Sequence, residues 1–445
     1  MYGEFQVNRI LDQVLASSHA GQTEVVFWGT DQQLTRFANN TIHQNVAEEG
    51  AEVTVRVVLG QKVGVATGNR LDGEGLREIV ERATTIAHLQ PENPDFPGLP
   101  GPMAWERAEG LHRATQAATP DQRAQGVAVI VERAKSRGFV AFGAFSTETT
   151  ELAVANSLGT RTYHPFTTAD VNTVVMSGAG SGYADAVTGD VSRIDPQQVA
   201  RQAVDLCARN IQQADLEPGE YEVLLEPPAV AELLQFMAYD GFNGLAVQEQ
   251  RSFMSGKQGQ PVAGRNVSIW DDGHDRRGLP LPFDFEGVPK RRVVFLDRGV
   301  AKEPVYDSYT AAKAQSLSTG HALPPPNTYG PIPLNVVMAN GDAASRQAML
   351  STIKRGVWVT RFWYVNELHP LSLTLTGMTR DGTFLVENGQ VVAALKNLRF
   401  TQSVVEALNH VRALSCDVVL QRNWIGSTLV PALLIDRFAF TGVSE

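Results

Sequence analysis

The chain of 445 residues contains only two cysteines and no long apolar run. Cys207 and Cys416 lie far apart and form no CxxC pair, so neither a disulfide framework nor a cysteine zinc site is predicted. We interpret both as buried free thiols and expect a cytoplasmic protein. No apolar segment approaches the ~20 residues of a membrane-spanning helix, so no membrane partner is expected. The amphipathic start, residues 1–16, lacks a signal-peptide pattern.

Lysine- and arginine-rich runs are also missing. The formal net charge is −10, whereas binding to a nucleic-acid backbone needs a basic surface. We therefore expect no nucleic-acid partner. The short basic segment 290–292 is interpreted as a solvated turn before a strand.

Closely spaced histidines, which zinc sites commonly use, do not occur. None of the 9 histidines lies within five residues of another, and no GxSxG nucleophile motif is present. The densest set of possible ligands is DDGHD (271–275), for which a polar turn is favoured over a cation site. Asp284 and Glu286 are two carboxylates that could form an acid/base pair, but no partner for them is evident.

The composition is typical of a globular protein, since 43% of the residues are hydrophobic and 19% are charged. The length of 445 residues suits two or three domains. Periodicity predicts alternating helices and strands up to residue 217 and mostly strands afterwards. We predict an α+β fold with an α/β N-terminal region and a β-rich C-terminal domain. The predicted divisions are 1–103, 104–217 and 218–445.

Several local signals predict caps and turns. The segment Thr-Pro-Asp-Gln at 119–122 predicts a capping box at the start of a helix. Residues 34–44 are predicted to form one extended stretch. Asp381-Gly382 and Asn388-Gly389 predict hairpin turns, because these residue types tolerate positive φ.

The stretch 231–256 is the most informative about chemistry. Apolar residues at helical spacing begin it, and Gly241 and Gly244 follow. A helix that leads into a glycine-rich turn is a common support for a metal site. This helix carries no histidine and no general-base glutamate.

Segments along most of the chain resemble the TldD/PmbA family, once described as modulators of DNA gyrase, and in particular its TldE (PmbA) branch. The number and order of these short segments make the resemblance specific. In chain order they are RFANNTIHQN (36–45), GVATGNRLD (64–72), VANSLGTR (154–161), YEVLLEPPAVAELL (221–234), FMSGKQGQPV (253–262), DDG (271–273), PFDFEGVPKRR (282–292), STGHA (318–322) and LTGMTRDGTFLVENGQ (375–390).

The resemblance implies an altered zinc motif. In the TldD branch the helix carries HExxxH, whose histidines bind zinc and whose glutamate is the general base; these positions fall on Gln235, Phe236 and Asp240. An amide is a poor zinc ligand, and a phenyl ring cannot accept a proton. The family's third ligand is a C-terminal cysteine, and Cys416 lies in roughly that region. The resemblance thus implies no catalytic residue, metal ligand or cofactor in this chain, with zinc in a TldD-like partner.

The function that the resemblance implies is that of a non-catalytic TldE-like subunit in a heterodimeric zinc metalloprotease that cleaves unfolded or precursor peptides. The expected partners are a TldD-like protease subunit, or a second copy of an isolated chain, and peptide substrates. Candidate contacts to substrate or partner are Phe362, Tyr364, Asn366 and His369, in an aromatic segment that leads into a turn.

Two alternatives stay open. The chain could be a hydrolase in its own right, with a metal held by Asp240, Asp271, His274 or Cys416. It could also be a regulatory binding protein, which rests on the family's older description alone.

Overall fold

The computed structural model describes residues 1–423 and 426–443. A six-stranded sheet occupies its N-terminal half. The strands are β1 (Gln22–Ala38), β2 (Thr41–Leu59), β3 (Lys62–Gly68), β4 (Val140–Asn156), β5 (Arg161–Ser177) and β6 (Gly180–Thr188). They lie in the order β3-β2-β1-β4-β5-β6, with all neighbours antiparallel. Segments 1–103 and 104–217 thus share one sheet, and the division between them stays a prediction.

The helices of this half reveal a structural repeat that no sequence motif indicated. They are α1 (Glu4–Ser17), α2 (Gly73–Leu89), α3 (Arg113–Gln116), α4 (Pro120–Ser136) and α5 (Pro196–Arg209). The order helix, three strands, helix occurs twice, as α1-β1-β2-β3-α2 and as α4-β4-β5-β6-α5. The capping box predicted at 119–122 is present at the start of α4.

In both repeats the last helix approaches the third strand at a glycine. A Cβ on Gly64 of β3 would lie 2.1 Å from the carbonyl oxygen of Ala83 in α2. A Cβ on Gly182 of β6 would lie 2.2 Å from the carbonyl oxygen of Ala203 in α5. Only a residue without a side chain permits such close packing of a helix on a strand.

The two faces of the sheet bury different partners. One face packs against the helices, through a cluster that includes Val25, Phe27 and Val55 and a second one around Val171 and Val175. The other face packs on a loop of the C-terminal region. The cluster on this other face consists of Val26, Leu152, Val154, Leu281, Phe283 and Phe285.

The C-terminal region is rich in strands, as predicted. The strands are β7 (Gln213–Ala214), β8 (Gly219–Leu225), β9 (Ile269–Asp271), β10 (Val293–Asp297), β11 (Val300–Ala301), β12 (Asn335–Met338), β13 (Arg355–His369), β14 (Thr374–Glu387), β15 (Gln390–Leu395), β16 (Leu398–Ser403), β17 (Val411–Leu414), β18 (Val419–Arg422), β19 (Ser427–Val430) and β20 (Leu433–Val443). The helices between them are α6 (Pro227–Phe236), α7 (Gly244–Gln248), α8 (Ser308–Lys313), α9 (Arg346–Leu350) and α10 (Val404–Asn409). The predicted α+β class is therefore confirmed.

These strands form two sheets around one hydrophobic core. The first has the order β11-β10-β9-β12-β19-β18. In the second, β13 pairs with β8 on one side and with β14 on the other, so that β13-β8-β20-β16-β14 closes into a five-stranded ring. The rings of Phe362, Phe400 and Phe438 contact one another in this core. Helix α6 packs on β13 and also contacts β18 and β19.

Of three local predictions, the extended stretch at 34–44 and the turn at Asp381-Gly382 are wrong, and the turn at Asn388-Gly389 is right. Residues 34–44 are not one extended stretch, because β1 and β2 reverse direction at Asn39-Asn40, where φ is 51° and 60°. Asp381-Gly382 lies inside β14, where its positive φ values accompany a bulge in the pairing with β13. Hydrogen bonding resumes on both sides of that bulge, so the strand continues. Asn388-Gly389 does form the turn between β14 and β15.

Across the described ranges, no helix is long and apolar enough to cross a membrane.

Candidate functional site

Helix α6, which contains two of the three positions that the resemblance assigns to the zinc motif, ends in an irregular turn. It begins at Pro227, whose fixed φ suits the first helical turn. After Phe236 the chain continues as a π-helical turn over Met237–Gly241. The N–H of Phe242 donates to the carbonyl oxygen of Met237 at 2.8 Å. This wider turn shifts the side chains that follow relative to regular helical spacing.

The three positions predicted for the altered motif face different surroundings. Gln235 is 6% exposed and lines a cavity. Phe236 is partly buried and packs against the hydrophobic core. Asp240 is 9% exposed and lies beside Glu367 of β13. Within residues 1–423 and 426–443, no group of three His, Cys, Asp or Glu side chains is arranged to hold a metal ion.

Asp240 and Glu367 are neighbouring carboxyl groups that influence one another's ionisation. Burial raises the pKa of Glu367 to about 7, and the negative charge of Asp240 adds to this effect. Burial also raises the pKa of Asp240, while the nearby guanidinium of Arg251 opposes the rise. The pair therefore keeps a proton near neutral pH. No spacing in the sequence links these two residues, since one follows α6 and the other lies on β13.

The predicted contact residues lie on the part of β13 that extends beyond β8. Strand β8 pairs only with Gly356–Val359, and in the described chain no strand covers that edge from 361 to 369. Tyr364 is 74% exposed, and Asn366 and His369 are also exposed. Phe362 is 4% exposed and belongs to the core, although it borders the same cavity as Gln235. Their role in contacting substrate or partner stays a prediction.

Around these residues, apolar side chains reach solvent at the end of the β13–β14 hairpin. Trp363, Tyr364, Leu368 and Leu371 are 45%, 74%, 58% and 48% exposed. We call these four residues the hairpin surface. A cluster of exposed large apolar side chains is a common mark of a binding surface.

The segment DDGHD consists of a buried strand residue, Asp271, and a partly buried turn. Asp271 is fully buried and accepts hydrogen bonds from the Asn335 N–H at 2.6 Å and from His321 Nε2 at 2.9 Å. Burial opposes its ionisation, but Lys290 and His321 outweigh this and lower the pKa of Asp271 to about 2. His274 lies in the turn, as predicted. Lys290 is 5% exposed, so the interpretation of 290–292 as a solvated turn is wrong for this residue.

Asp284 and Glu286 hold loops together. Asp284 is buried and accepts the backbone N–H groups of Val288 at 2.9 Å and Ala322 at 2.8 Å. Glu286 pairs with Arg56 of β2 at 3.2 Å. Their contacts indicate a structural role in joining the N-terminal sheet to the C-terminal region.

The two thiols differ in exposure. Cys207 is buried in α5 as predicted, and burial raises the pKa of its thiol to about 11. Cys416 is exposed, so its prediction as a buried strand residue is wrong. Cys416 lies after the end of β17, in the connection to β18, where its N–H donates to the carbonyl oxygen of Ala343 at 2.9 Å. In the part of the chain that is described, Asp240, Asp271, His274 and Cys416 form no metal-binding group.

Two adjoining cavities lie between the N-terminal sheet and α6. The smaller, of about 300 Å³, is next to Gln235. The larger, of about 760 Å³, extends along α5. Tyr183, Asp185 and Pro228 border both cavities, so the two form one continuous cleft.

Family profiles identify a chain of the metallopeptidase type. The profile of the PmbA/TldA metallopeptidase C-terminal domain matches residues 218–442, and that of PmbA/TldA metallopeptidase domain 1 matches residues 24–87. The chain belongs to the TldD/PmbA family.

Curated relatives match at low identity. An uncharacterized protein from Methanocaldococcus jannaschii is 24% identical over 280 residues, which cover 61% of this chain and 63% of the relative. A metalloprotease TldD homolog from Buchnera aphidicola is 22% identical over 223 residues, which cover 49% of this chain and 45% of the relative. The matches thus span less than two thirds of these relatives.

Solved structures match over nearly the whole length. TldE from Thermococcus kodakarensis superposes with a TM-score of 0.90 at 20% identity, covering 98% of this chain and 100% of that one. A proposed modulator of a DNA gyrase from Thermotoga maritima gives a TM-score of 0.86 at 19% identity, with coverage of 98% and 100%. At these identities the likeness shows the fold.

Proposed function

We propose that this chain is the non-catalytic subunit of a two-chain zinc metallopeptidase, and that its partner is a TldD-like subunit in the cytoplasm. The complex acts on unfolded or precursor peptides. One observation carries the proposal: α6 and its turn are present, but Gln235, Phe236 and Asp240 occupy the positions where the resemblance implies two zinc ligands and a general base.

The chemistry of these three side chains supports this role. A neutral amide binds zinc weakly, and the ring of Phe236 can neither bind a metal nor accept a proton. Asp240 is the one carboxyl group among the three positions, and its pKa is raised by burial, as is that of the neighbouring Glu367. Zinc would have to compete with protonation of this group and would gain a single carboxylate ligand.

The hairpin surface supports contact with another chain. Its four side chains expose apolar area at the end of the β13–β14 hairpin, and the neighbouring edge of β13 offers backbone groups to an added strand. A partner that covers this surface would place its own residues next to the cavity at Gln235.

Metal content and peptidase activity test the proposal. The chain is purified alone and co-expressed with a TldD-like subunit, and both preparations are assayed for zinc and for cleavage of an unstructured peptide. We expect about one zinc per pair of chains, since one subunit carries the motif, and activity only in the co-expressed complex. Zinc and activity in the chain alone would contradict the proposal.

Substitution of two exposed residues of β13, one of them in the hairpin surface, tests the contact with substrate or partner. Tyr364→Ala and His369→Ala should weaken assembly with the TldD-like subunit or reduce peptide cleavage by about tenfold, because truncation removes contacts at the interface. Phe5→Ala is the matched control, since Phe5 is 79% exposed on α1. Normal assembly and cleavage by both hairpin variants would show that these residues contact neither substrate nor partner.

A further inference from the structure

Part of one edge of β2 lacks a neighbouring strand. Strand β3 pairs only with residues 53–59 of β2, and no other strand of the described chain continues this edge over residues 41–52. We call residues 41–52 the β2 edge. None of its side chains is buried, and from residue 44 onward its pairing with β1 has no bulge. It also lacks the proline or lysine that commonly protects an exposed edge from further pairing.

The second repeat contains the counterpart of this edge, in which Pro165 of β5 corresponds to Ala47 of β2. The two residues lie equally far before the equivalent glycines Gly182 and Gly64, and the pairing of each strand with its inner neighbour is unbroken there. Proline has no N–H, so a strand accommodates it where that group would point away from the paired neighbour. The N–H of Ala47 therefore points outward from the β2 edge.

Other parts of the chain cover the counterpart in β5. The N–H of Thr167 donates to the carbonyl oxygen of Gly110 at 2.9 Å, and the ring of His164 forms a hydrogen bond with the carbonyl oxygen of Pro280 at 3.0 Å. Thr167 and His164 are only 1% and 2% exposed. The β2 edge has the same backbone arrangement and no such cover. An edge that is covered in one repeat and bare in the other indicates a contact that a second chain completes.

The side chains of the β2 edge are acidic. Glu48, Glu49 and Glu52 are exposed, and the segment contains no lysine or arginine. Glu49 contacts the amino-terminal ammonium of Met1 at 3.2 Å, whereas Glu48 and Glu52 make no ion pair within the described ranges. Two copies of this edge side by side would bring like charges together, which disfavours self-pairing. A strand with lysine or arginine side chains would complement the edge.

We propose that the β2 edge is the docking site for an extended segment of the TldD-like subunit, and that this segment carries basic side chains. The segment adds a strand to the N-terminal sheet outside β2, through backbone hydrogen bonds that include the N–H of Ala47. This contact belongs to a different sheet from the hairpin surface. The inference rests on the proposed function, because it places one contact of the partner subunit.

Hydrogen exchange, measured on the isolated chain and on the co-expressed complex, tests this inference. Amide exchange in residues 41–52 should become about tenfold slower in the complex, because N–H groups that face solvent enter hydrogen bonds. Residues 161–168 of β5 are the internal control, since they are already covered and their exchange should not change. A zinc-containing, active complex with unchanged exchange in residues 41–52 would overturn the inference and leave the subunit role intact.

A proline substitution tests the backbone of the edge. Ala47→Pro gives β2 the residue that β5 carries at the equivalent position, and it removes an outward N–H without removing a bond to β1. Affinity for the TldD-like subunit, measured by calorimetric titration, should fall about tenfold. Ala47→Ser keeps the N–H and is the matched control. Circular dichroism melts check that both variants are folded.

Charge reversal tests the side chains of the edge. The triple variant Glu48→Lys, Glu49→Lys and Glu52→Lys should weaken the same affinity about tenfold or more, because its lysines would face a basic segment. The matched control is a triple variant with the same change of charge at exposed residues outside the edge: Glu81→Lys, Glu92→Lys and Glu132→Lys. Its affinity should stay close to that of the unmodified chain.

The outcomes separate this inference from the proposed function. Unchanged affinity in both Ala47→Pro and the triple variant of the edge would overturn the inference. Self-association of the isolated chain that slows exchange in residues 41–52 would also overturn it, because the occupant would be a second copy. Failure of the unmodified chain to form any zinc-containing complex would overturn the subunit role, and the docking of a TldD-like segment with it.

Discussion

Asp240 and Glu367 bring two carboxyl groups next to each other at the end of α6. Either residue alone on the surface would be ionised at neutral pH. Together, partly buried and close to each other, they hold a proton up to about pH 7. Arg251 reduces this effect without cancelling it, because its charge is close to both groups.

The carboxyl pair makes stability depend on pH. The folded-state pKa of Glu367 lies at about 7, above its ordinary value of 4.5. The folded chain therefore keeps a proton that the unfolded chain releases between these two values. The resulting contribution to stability is complete below about pH 4.5 and is lost as the pH rises through about 7.

Asp240→Asn should reduce this loss. Without the Asp240 charge, Glu367 can ionise at lower cost, so the free energy of unfolding at pH 8 should increase by about 1 kcal/mol relative to the unmodified chain. At pH 5 the change should be small. Urea denaturation at both pH values measures it, with Glu132→Gln as the control. Greater destabilisation at pH 8 than at pH 5 would contradict the expected direction.

At the scale of elements, the same packing of a helix on a strand occurs twice in the N-terminal half. Helices α2 and α5 each lie on the third strand of their repeat, and each needs a glycine at the point of closest approach. The two glycines occur in different local sequences, GVATG and GSGYADA, so the repeat is visible in backbone packing and not in side-chain identity.

Gly64→Ala and Gly182→Ala should each destabilise the fold by about 3 kcal/mol, because the added methyl overlaps helix backbone that cannot move independently. Gly73→Ala is the matched control, since a Cβ at this position in α2 would meet no atom within 4 Å. Thermal unfolding of the three variants measures the effect. Equal melting temperatures for Gly64→Ala and Gly73→Ala would show that the helix is free to shift.

At the scale of the whole molecule, a buried charged group joins the N-terminal sheet to the C-terminal region. Arg56 of β2 lies 2.7 Å from Glu24 of β1 and 3.2 Å from Glu286 of the C-terminal region. Burial raises the pKa of Glu24 to about 7 even though Arg56 opposes this. One guanidinium therefore pairs with two carboxyl groups, one on each side of the contact between the two regions.

Arg56→Met should destabilise the protein by about 3–5 kcal/mol at pH 8, because it leaves two buried carboxylates without a cation. The loss should be smaller at pH 5, where Glu24 is protonated. Arg70→Met is the control: Arg70 pairs with Glu74 and Glu78 in solvent, so its loss should cost about 1 kcal/mol or less. Guanidinium denaturation at the two pH values measures both variants, and a pH-independent loss at Arg56 would contradict this account.

The sequence by itself determined those features that depend on neighbouring residues. The capping box at 119–122 and the turn at Asn388-Gly389 follow from residues within a few positions of each other. Periodicity and turn signals also predicted the α+β class, and the order of short segments identified the family. The assignment of an altered zinc motif to Gln235, Phe236 and Asp240 stays a prediction from that resemblance.

Only the tertiary structure decided the features that depend on residues far apart in the chain. The sequence could not show that Glu367 lies beside Asp240, or that Asp185 of β6 and Glu232 of α6 face one cavity. It also placed Lys290 in solvent. Whether a charged side chain is solvated, paired or buried depends on the strands and loops that pack over it, and that packing is set by pairing between distant segments.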